Sequence, residues 1–331
     1  TRAIGAFTFV AVAGGTIGLL VGGVITEAIS WHWIFLLNLP IGIVTGVLAA
    51  RLLERDHGSG LQGDADVPGA VLITSALMLG VYTIVGVAEH GWTSTRTLGL
   101  SAVCTALIAL FLWRETRARH PLVPLSIFRS RNVAGANVIQ MLAMAGLFGI
   151  GFLGALYLQR VLGYSPVEVG LAFLPATLIM GALSLRFTAV FIGRFGARNV
   201  LVAGLSLVAV SLVLFARAPV DGTYVTDVLP IMVVQGTGAG IAFPALMTLA
   251  MSGATPENAG LTSGIVNTTQ QIGGAIGLSV LATLSTTRSE DLQASGASLP
   301  EALTGGYHLA FIVGAALVVA AVIVAVVVLQ P

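Results

Sequence analysis

Apolar residues in this chain run on for about twenty positions at a time and then break into short polar links. A helix needs roughly 20 mostly apolar residues to cross a hydrocarbon core of about 30 Å. Ten runs qualify, some of them loosely, near 4–25, 33–53, 68–88, 98–113, 133–159, 169–192, 199–216, 228–251, 259–285 and 306–329. Membrane barrels are excluded, because their strands are alternating segments of about 10 residues and these runs are longer and unbroken. The pattern predicts an all-α polytopic membrane protein with about ten transmembrane helices. Two helix starts carry their own signal. SPVE at 165–168 reads as a capping box with Pro at the first helical position, and TPEN at 255–258 opens the ninth run in the same way.

The polar links divide the chain. RDHGSGLQGDADVP at 55–68 and RETRARHPLVPLSIFRSRN at 114–132 are longer than the other links and isolate the third and fourth runs as a pair. The expected units are 1–54, two helices; 55–131, two spacer helices with their linkers; and 132–331, six helices. All fifteen basic residues are Arg. Loops rich in Lys and Arg stay cytoplasmic. If the first run enters from the cytoplasm, Arg2, Arg51, Arg55, Arg114, Arg117, Arg119, Arg129, Arg131, Arg186, Arg194 and Arg198 all fall inside. Only Arg96, Arg160, Arg217 and Arg288 fall outside. This orientation places the C-terminus in the cytoplasm.

Composition agrees with a membrane chain: 56% of the 331 residues are hydrophobic and 9% are charged, against about 25% in soluble domains. The 41 glycines suit helices that approach closely in lipid. A net charge of +1 gives no nucleic-acid footprint. One cysteine, Cys104, excludes an intrachain disulfide and a thiolate metal cluster, and reads as a small packing residue. His32, His57, His90, His120 and His308 are dispersed, so no metal site or cofactor is expected. GIGFLG at 149–154 has dinucleotide-site spacing but lies in an apolar run with no strand before it, and reads as helix packing. With no convergent acid, base or metal set, an enzyme is not expected. The chain opens on Thr1 with helix almost at once, and reads as a piece that starts inside a larger membrane protein.

An internal echo accompanies the grouping. GGTIGL at 14–19 returns as GGAIGL at 273–278, and the next helix in each case is expected to begin with an aromatic–His pair, Trp31–His32 before Phe35 and Tyr307–His308 before Phe311. Repeated halves are common in transporter folds. On that logic four helices precede the chain's first.

The stretches AGGTIGLLVGGVITEAISWHWIFLLNLPIG at 13–42 and AGLTSGIVNTTQQIGGAIGLSVLATL at 259–284 resemble the fourteen-helix drug/proton antiporters of the major facilitator superfamily. The resemblance covers essentially the whole chain, with the spacer pair matching that family's two extra central helices. It implies two six-helix bundles around a central cavity, working by alternating access as a proton-driven exporter of hydrophobic drugs or metabolites. Its implied partners are a small hydrophobic substrate, protons and the lipid bilayer, in a monomer at the plasma membrane. Gly14, Gly18, Gly22 and Gly23 match the family's antiporter motif, while Gly15 stands where Pro is usual and removes a fixed kink. GRFGAR at 193–198 resembles the family's cytoplasmic loop motif. Gly193 replaces its Asp, and Arg194, Gly196 and Arg198 are left either as gate-loop residues or as ordinary positive-inside anchors. A non-transporting membrane protein of the same fold, a remnant or a receptor-like scaffold, is the alternative.

No Asp or Glu lies deep in a run, so a proton-coupling carboxylate is expected in the helices that precede this chain. Deep polar residues do occur. By the resemblance, the fifth, sixth, eighth and ninth runs line the cavity. Asn137, Gln140, Met141, Met144 and Phe148 share one helical face, and Met232, Gln235, Ala239, Phe243 and Met247 another. Amides among thioethers and rings suit varied apolar ligands, or else hydrogen-bond across a helix interface. In NTTQQ at 267–271, Asn267, Gln270 and Gln271 cluster on one side and face a wet cavity or a partner helix. Thr268 and Thr269 are expected to point elsewhere and bond the preceding turn.

Overall fold

A computed structural model describes residues 14, 18, 21–52, 66–118, 121–123, 130–252, 254 and 259–330, with Val85, Ala88 and Glu89 described by backbone alone. Among these residues there is helix and no strand. Helical residues 21–28 (α1) lead to α2 (His32–Leu52), the pair α3 (Val67–His90) and α4 (Thr95–Glu115), then α5 (Arg131–Arg160), α6 (Pro166–Arg186), the short α7 (Thr188–Phe195) and α8 (Ala197–Phe215). A π-helical turn, Tyr224–Val228, runs into α9 (Leu229–Ala250), followed by α10 (Ala259–Ala294) and α11 (Leu299–Val328). Eight of these spans are long and apolar enough to cross a membrane. The first expected run falls largely outside the described residues. The ninth is the 36-residue α10, whose amides and hydroxyls keep it below the hydropathy of the other eight.

Helix ends follow side-chain chemistry more closely than hydropathy. The box at α6 is present: Ser165 N–H donates to Glu168 at 2.8 Å, and Glu168 N–H donates to the Ser165 hydroxyl at 3.3 Å. TPEN lies outside the described residues. A second box, Ser298 with Glu301, starts α11 at Leu299 rather than at 306. The spacing S-x-x-E would have revealed it, but the turn it opens is polar and escapes an apolar-run search. The aromatic–His pair therefore opens α2 but sits well inside α11, so only one of the two echoed helices begins there. The sixth run, expected unbroken over 169–192, breaks at Phe187. The Thr188 hydroxyl, buried at the break, lies 2.9 Å from the Leu183 carbonyl and 3.1 Å from that of Gly240. Gly196 then ends α7 with φ +79°, a left-handed conformation that favours glycine.

Helices α5, α6, α8, α9, α10 and α11 form one bundle in which α5 packs on α10 and α11, and α9 packs on α6 and α8. Helices α8 and α11 meet, and so do α5 and α9. Exchanging the triplet α5, α6, α8 with the triplet α9, α10, α11 maps these contacts onto one another or onto themselves, as in an internal repeat, while the close α10–α11 packing has no comparable α6–α8 counterpart among the described residues. The glycines obey the exchange. A methyl group on Gly146 of α5 would lie 2.8 Å from the Gly314 carbonyl of α11, and one on Gly204 of α8 would lie 2.7 Å from the Gly238 carbonyl of α9. Lipid is as apolar as Leu, so close van der Waals packing at such crossings does the holding. Towards the C-terminal ends of α5 and α8, Phe215 and Phe311 stack at 4.7 Å, with Tyr157 edge-on to Phe215 at 6.0 Å.

The α3–α4 hairpin joins this bundle through α3, which lies along α10. Its open end is tied by Asp66, which caps α3 through the Gly69 N–H at 2.9 Å and accepts from Arg114 at 2.7 and 2.8 Å. The Arg114 hydrogen bond, with the Gly69 N–H second, holds the Asp66 carboxyl below its ordinary 3.8. A lowered folded pKa means that this tie contributes fully at neutral pH and is lost only as pH falls through the lowered value. Cys104 lies inside the hairpin, its thiol 3.2 Å from the Ala76 carbonyl. Asp66→Asn is therefore expected to speed maleimide labelling of this single cysteine severalfold at neutral pH. A rate equal to that of the parent would show that the tie does not hold the hairpin closed.

Candidate functional site

The α5–α10 seam is built on glycine. Methyl groups on Gly273 and Gly277 would lie 2.5 Å from the Met141 carbonyl oxygen and 2.2 Å from Ala145 Cα, and one on Gly149 would lie 2.7 Å from Leu281 Cδ1. The contacts advance four residues on each helix, so α5 and α10 run parallel and nearly touch. Their polar side chains meet on the same seam. Gln140 Nε2 donates to Gln270 Oε1 at 3.1 Å. The Thr269 hydroxyl lies 3.0 Å from Asn137 Oδ1 and 2.8 Å from the Ile265 carbonyl, and Asn137 Nδ2 donates to the Val133 carbonyl at 2.9 Å. Asn137 and Gln140 are buried, so this alignment satisfies amides that would cost roughly 2 to 7 kcal/mol if left unpaired in hydrocarbon.

Helical geometry at 100° per residue splits NTTQQ between two faces. Thr269 and Gln270 turn to α5. Asn267, Gln271 and Thr268 stay open and line a groove of about 820 Å³ between α10, Phe148 of α5 and the α3 residues Leu77, Met78, Val81 and Tyr82. Thr268 thus faces the groove with two of the amides, where the local reading had it pointing elsewhere. Asn267 Nδ2 donates to the Ser263 carbonyl at 3.1 Å, a bond that leaves the Oδ1 of this groove-lining residue uncommitted. A volume of this size is within the ~300–1,000 Å³ of small-molecule pockets, and an apolar wall with a few amides is their usual composition. The α3 wall had no sequence signal, since it exists only where the spacer hairpin docks.

The other anticipated residues are spread more widely. Met141 is half-buried over Gly273, and Met144 is buried. On α9, Met232 and Ala239 are core residues, while Phe243 and Met247 are half-buried against that core. Gln235 lies on the same helix with its Oε1 buried and without a hydrogen-bond partner among the described residues. Gly14 and Gly18 are exposed, Gly15 is outside the described residues, and Gly22 approaches Ile34 at 4.0 Å. Gly23 is buried where α1 crosses the start of α6, and a methyl group on it would lie 2.9 Å from the Pro166 carbonyl oxygen. In the α7–α8 link, the Arg194 guanidinium stands 5.5 Å over the Phe195 ring. Arg198 reaches α11, where it donates to the Ala325 carbonyl at 3.3 Å and to the Val326 carbonyl. A cation on last-turn carbonyls is favoured by the helix dipole.

Comparison with known proteins covers most of the chain. A family model described as Major Facilitator Superfamily matches residues 1–278. The chain is 32% identical, over 96% of its length, to the puromycin resistance protein pur8 of Streptomyces alboniger. It is 36% identical over 86% to the cephamycin export protein CmcT of Amycolatopsis lactamdurans, and 32% over 88% to the tetracenomycin C resistance and export protein of Streptomyces glaucescens. It spans 65%, 59% and 54% of the lengths of these three relatives.

Proposed function

This chain belongs to the major facilitator superfamily, and we propose that it forms the larger part of a secondary transporter that exports small hydrophobic drugs or metabolites. The groove beside α10 carries this reading. It combines an apolar wall, two aromatic rings and two amides, which is what an amphipathic substrate of variable shape requires. Relatives named for resistance to, or export of, puromycin, cephamycin and tetracenomycin C support the substrate class.

Alternating access is the working mode that the family resemblance supports. One continuous core runs through α5, α6, α8, α9, α10 and α11, so this bundle moves as a unit and rocks against the other half of the transporter. In this reading Asn267 and Gln271 orient the polar end of the substrate, Asn137, Gln140 and Gln270 hold the wall behind them, and Arg198 steadies the cytoplasmic end of α11. Proton antiport, a monomeric state and a plasma-membrane location with a cytoplasmic C-terminus complete the proposal, on the family resemblance and on the Arg distribution.

Cells that express the complete reading frame are expected to accumulate severalfold less of a lipophilic fluorescent dye, and a protonophore should restore accumulation. Unchanged accumulation on expression would sink the exporter reading. Efflux that persists with the gradient collapsed would sink antiport alone.

A further inference from the structure

Three cavities lie end to end along one face of α10. The substrate groove ends at Leu278, which also lines the next cavity, of about 290 Å³. That cavity shares Phe152, Ala282, Thr286 and Glu290 with a third, of about 220 Å³, where Arg160 and Tyr307 also line the wall. The continuity follows from helical periodicity. Phe152, Leu156 and Arg160 are four apart on α5, as are Leu278, Ala282, Thr286 and Glu290 on the parallel α10, so two stripes face one another down the channel.

Chemistry changes along that channel. Near Leu278, Phe152 and Ile84 it is mainly apolar, with the small hydroxyl residues Ser279, Thr283, Thr286 and Thr287 along the α10 wall, and at the end where α5 finishes it carries one cation, Arg160, and one anion, Glu290. Among the described residues the two charges make no ion pair with each other. Tyr307, 3% exposed, is at the same end, and its buried hydroxyl has no hydrogen-bond partner among the described residues. The twelve steps from Leu278 to Glu290 span about 18 Å at 1.5 Å per residue, somewhat over half of the ~30 Å hydrocarbon core.

We propose that this stretch is a lipid site, which holds one phospholipid with a zwitterionic phosphate–ammonium headgroup. The phosphate sits at Arg160, the ammonium at Glu290, and one acyl chain lies in the channel towards Leu278. A small soluble ligand would leave the apolar length unused, and a purely anionic headgroup would meet Glu290. A long channel that ends in one charge of each sign is complementary to a zwitterionic amphiphile, because charge-assisted contacts satisfy both ends of its headgroup. The site goes beyond the export reading, since the lipid ends where the substrate groove begins.

Native mass spectrometry of the complete protein, released from nanodiscs of equal phosphatidylethanolamine and phosphatidylglycerol, tests this without any transport measurement. The parent is expected to retain one phosphatidylethanolamine in roughly tenfold preference. Glu290→Gln should turn that preference towards phosphatidylglycerol, and Arg160→Gln should lower retention of both lipids. Ala282→Trp, which fills the channel, should abolish retention while circular dichroism stays that of the parent. Equal retention of the two lipids by the parent, or an unchanged preference in Glu290→Gln, would overturn the assignment. Retention undiminished in Ala282→Trp would overturn the acyl-chain path.

Discussion

Gly277→Val is expected to destabilise the bundle strongly, using up a large part of its stability. A Cβ at this position would lie 2.2 Å from Ala145 Cα and 2.5 Å from its Cβ, and backbone cannot turn aside as a side chain can. To admit Val, α5 and α10 must separate along their whole parallel seam. That movement undoes the approach of Gly273 to Met141 and the Gln140–Gln270 hydrogen bond together. Overpacking against movable side chains costs about 1–3 kcal/mol, and a rigid backbone neighbour puts this case at or above that range. Folded proteins hold only about 5–15 kcal/mol in reserve. Size-exclusion chromatography of the solubilised variant should show little monodisperse protein. Gly264→Val on the same helix, with nothing within 4 Å of its Cβ position, should elute like the parent. Parent-like behaviour of Gly277→Val would mean that the seam is looser than described.

Ala275→Trp is expected to lower dye efflux at least tenfold while the protein stays monodisperse. Ala275 lines the groove, one turn beyond Gln271 and opposite α3, so an indole there occupies ligand volume without entering the α5 seam. A loss of tenfold corresponds to about 1.4 kcal/mol of binding or barrier, less than exclusion of a ligand from a filled pocket would supply. The neighbouring amides separate site from scaffold. Gln271→Leu should change which substrates are exported and leave protein yield unchanged. Gln270→Leu should instead destabilise, by about 0.5–2 kcal/mol, because it strands Gln140 in a buried position. If both variants behave alike in efflux and in thermal melting, the division of NTTQQ into two faces is wrong. Undiminished efflux in Ala275→Trp would move the substrate out of this groove.

Much of the helical framework was legible in the sequence because its signals are local. Continuous apolar runs, the Ser165–Glu168 box and the glycines of GGAIG are each read within a few turns, and each reappears in the folded chain. Errors fell where a local rule competes with another. The polar first turns of α11 were invisible to hydropathy although Ser298 and Glu301 cap them, and Phe187 interrupts a run that apolarity alone would continue. The candidate site was legible only in part. Asn267, Gln270 and Gln271 stood out as amides in a membrane segment, but the three do not share one fate. Residue spacing gives the angle between side chains, and says nothing of which neighbour fills that angle.

By itself, the sequence determined an all-helical membrane chain, the approximate place of its spans, the seam at which α10 could approach a neighbour, and the few amides that could not face lipid. These follow from hydrocarbon thickness, helical periodicity and the cost of an unpaired polar group. Only the tertiary structure decided that α5 is the neighbour, that Gln270 pairs with Gln140, and that the α3 hairpin supplies the other wall of the groove. Those outcomes depend on contacts between residues more than a hundred positions apart, set by which glycine stripe fits which backbone. That fit is a property of two surfaces together and is written in neither helix alone.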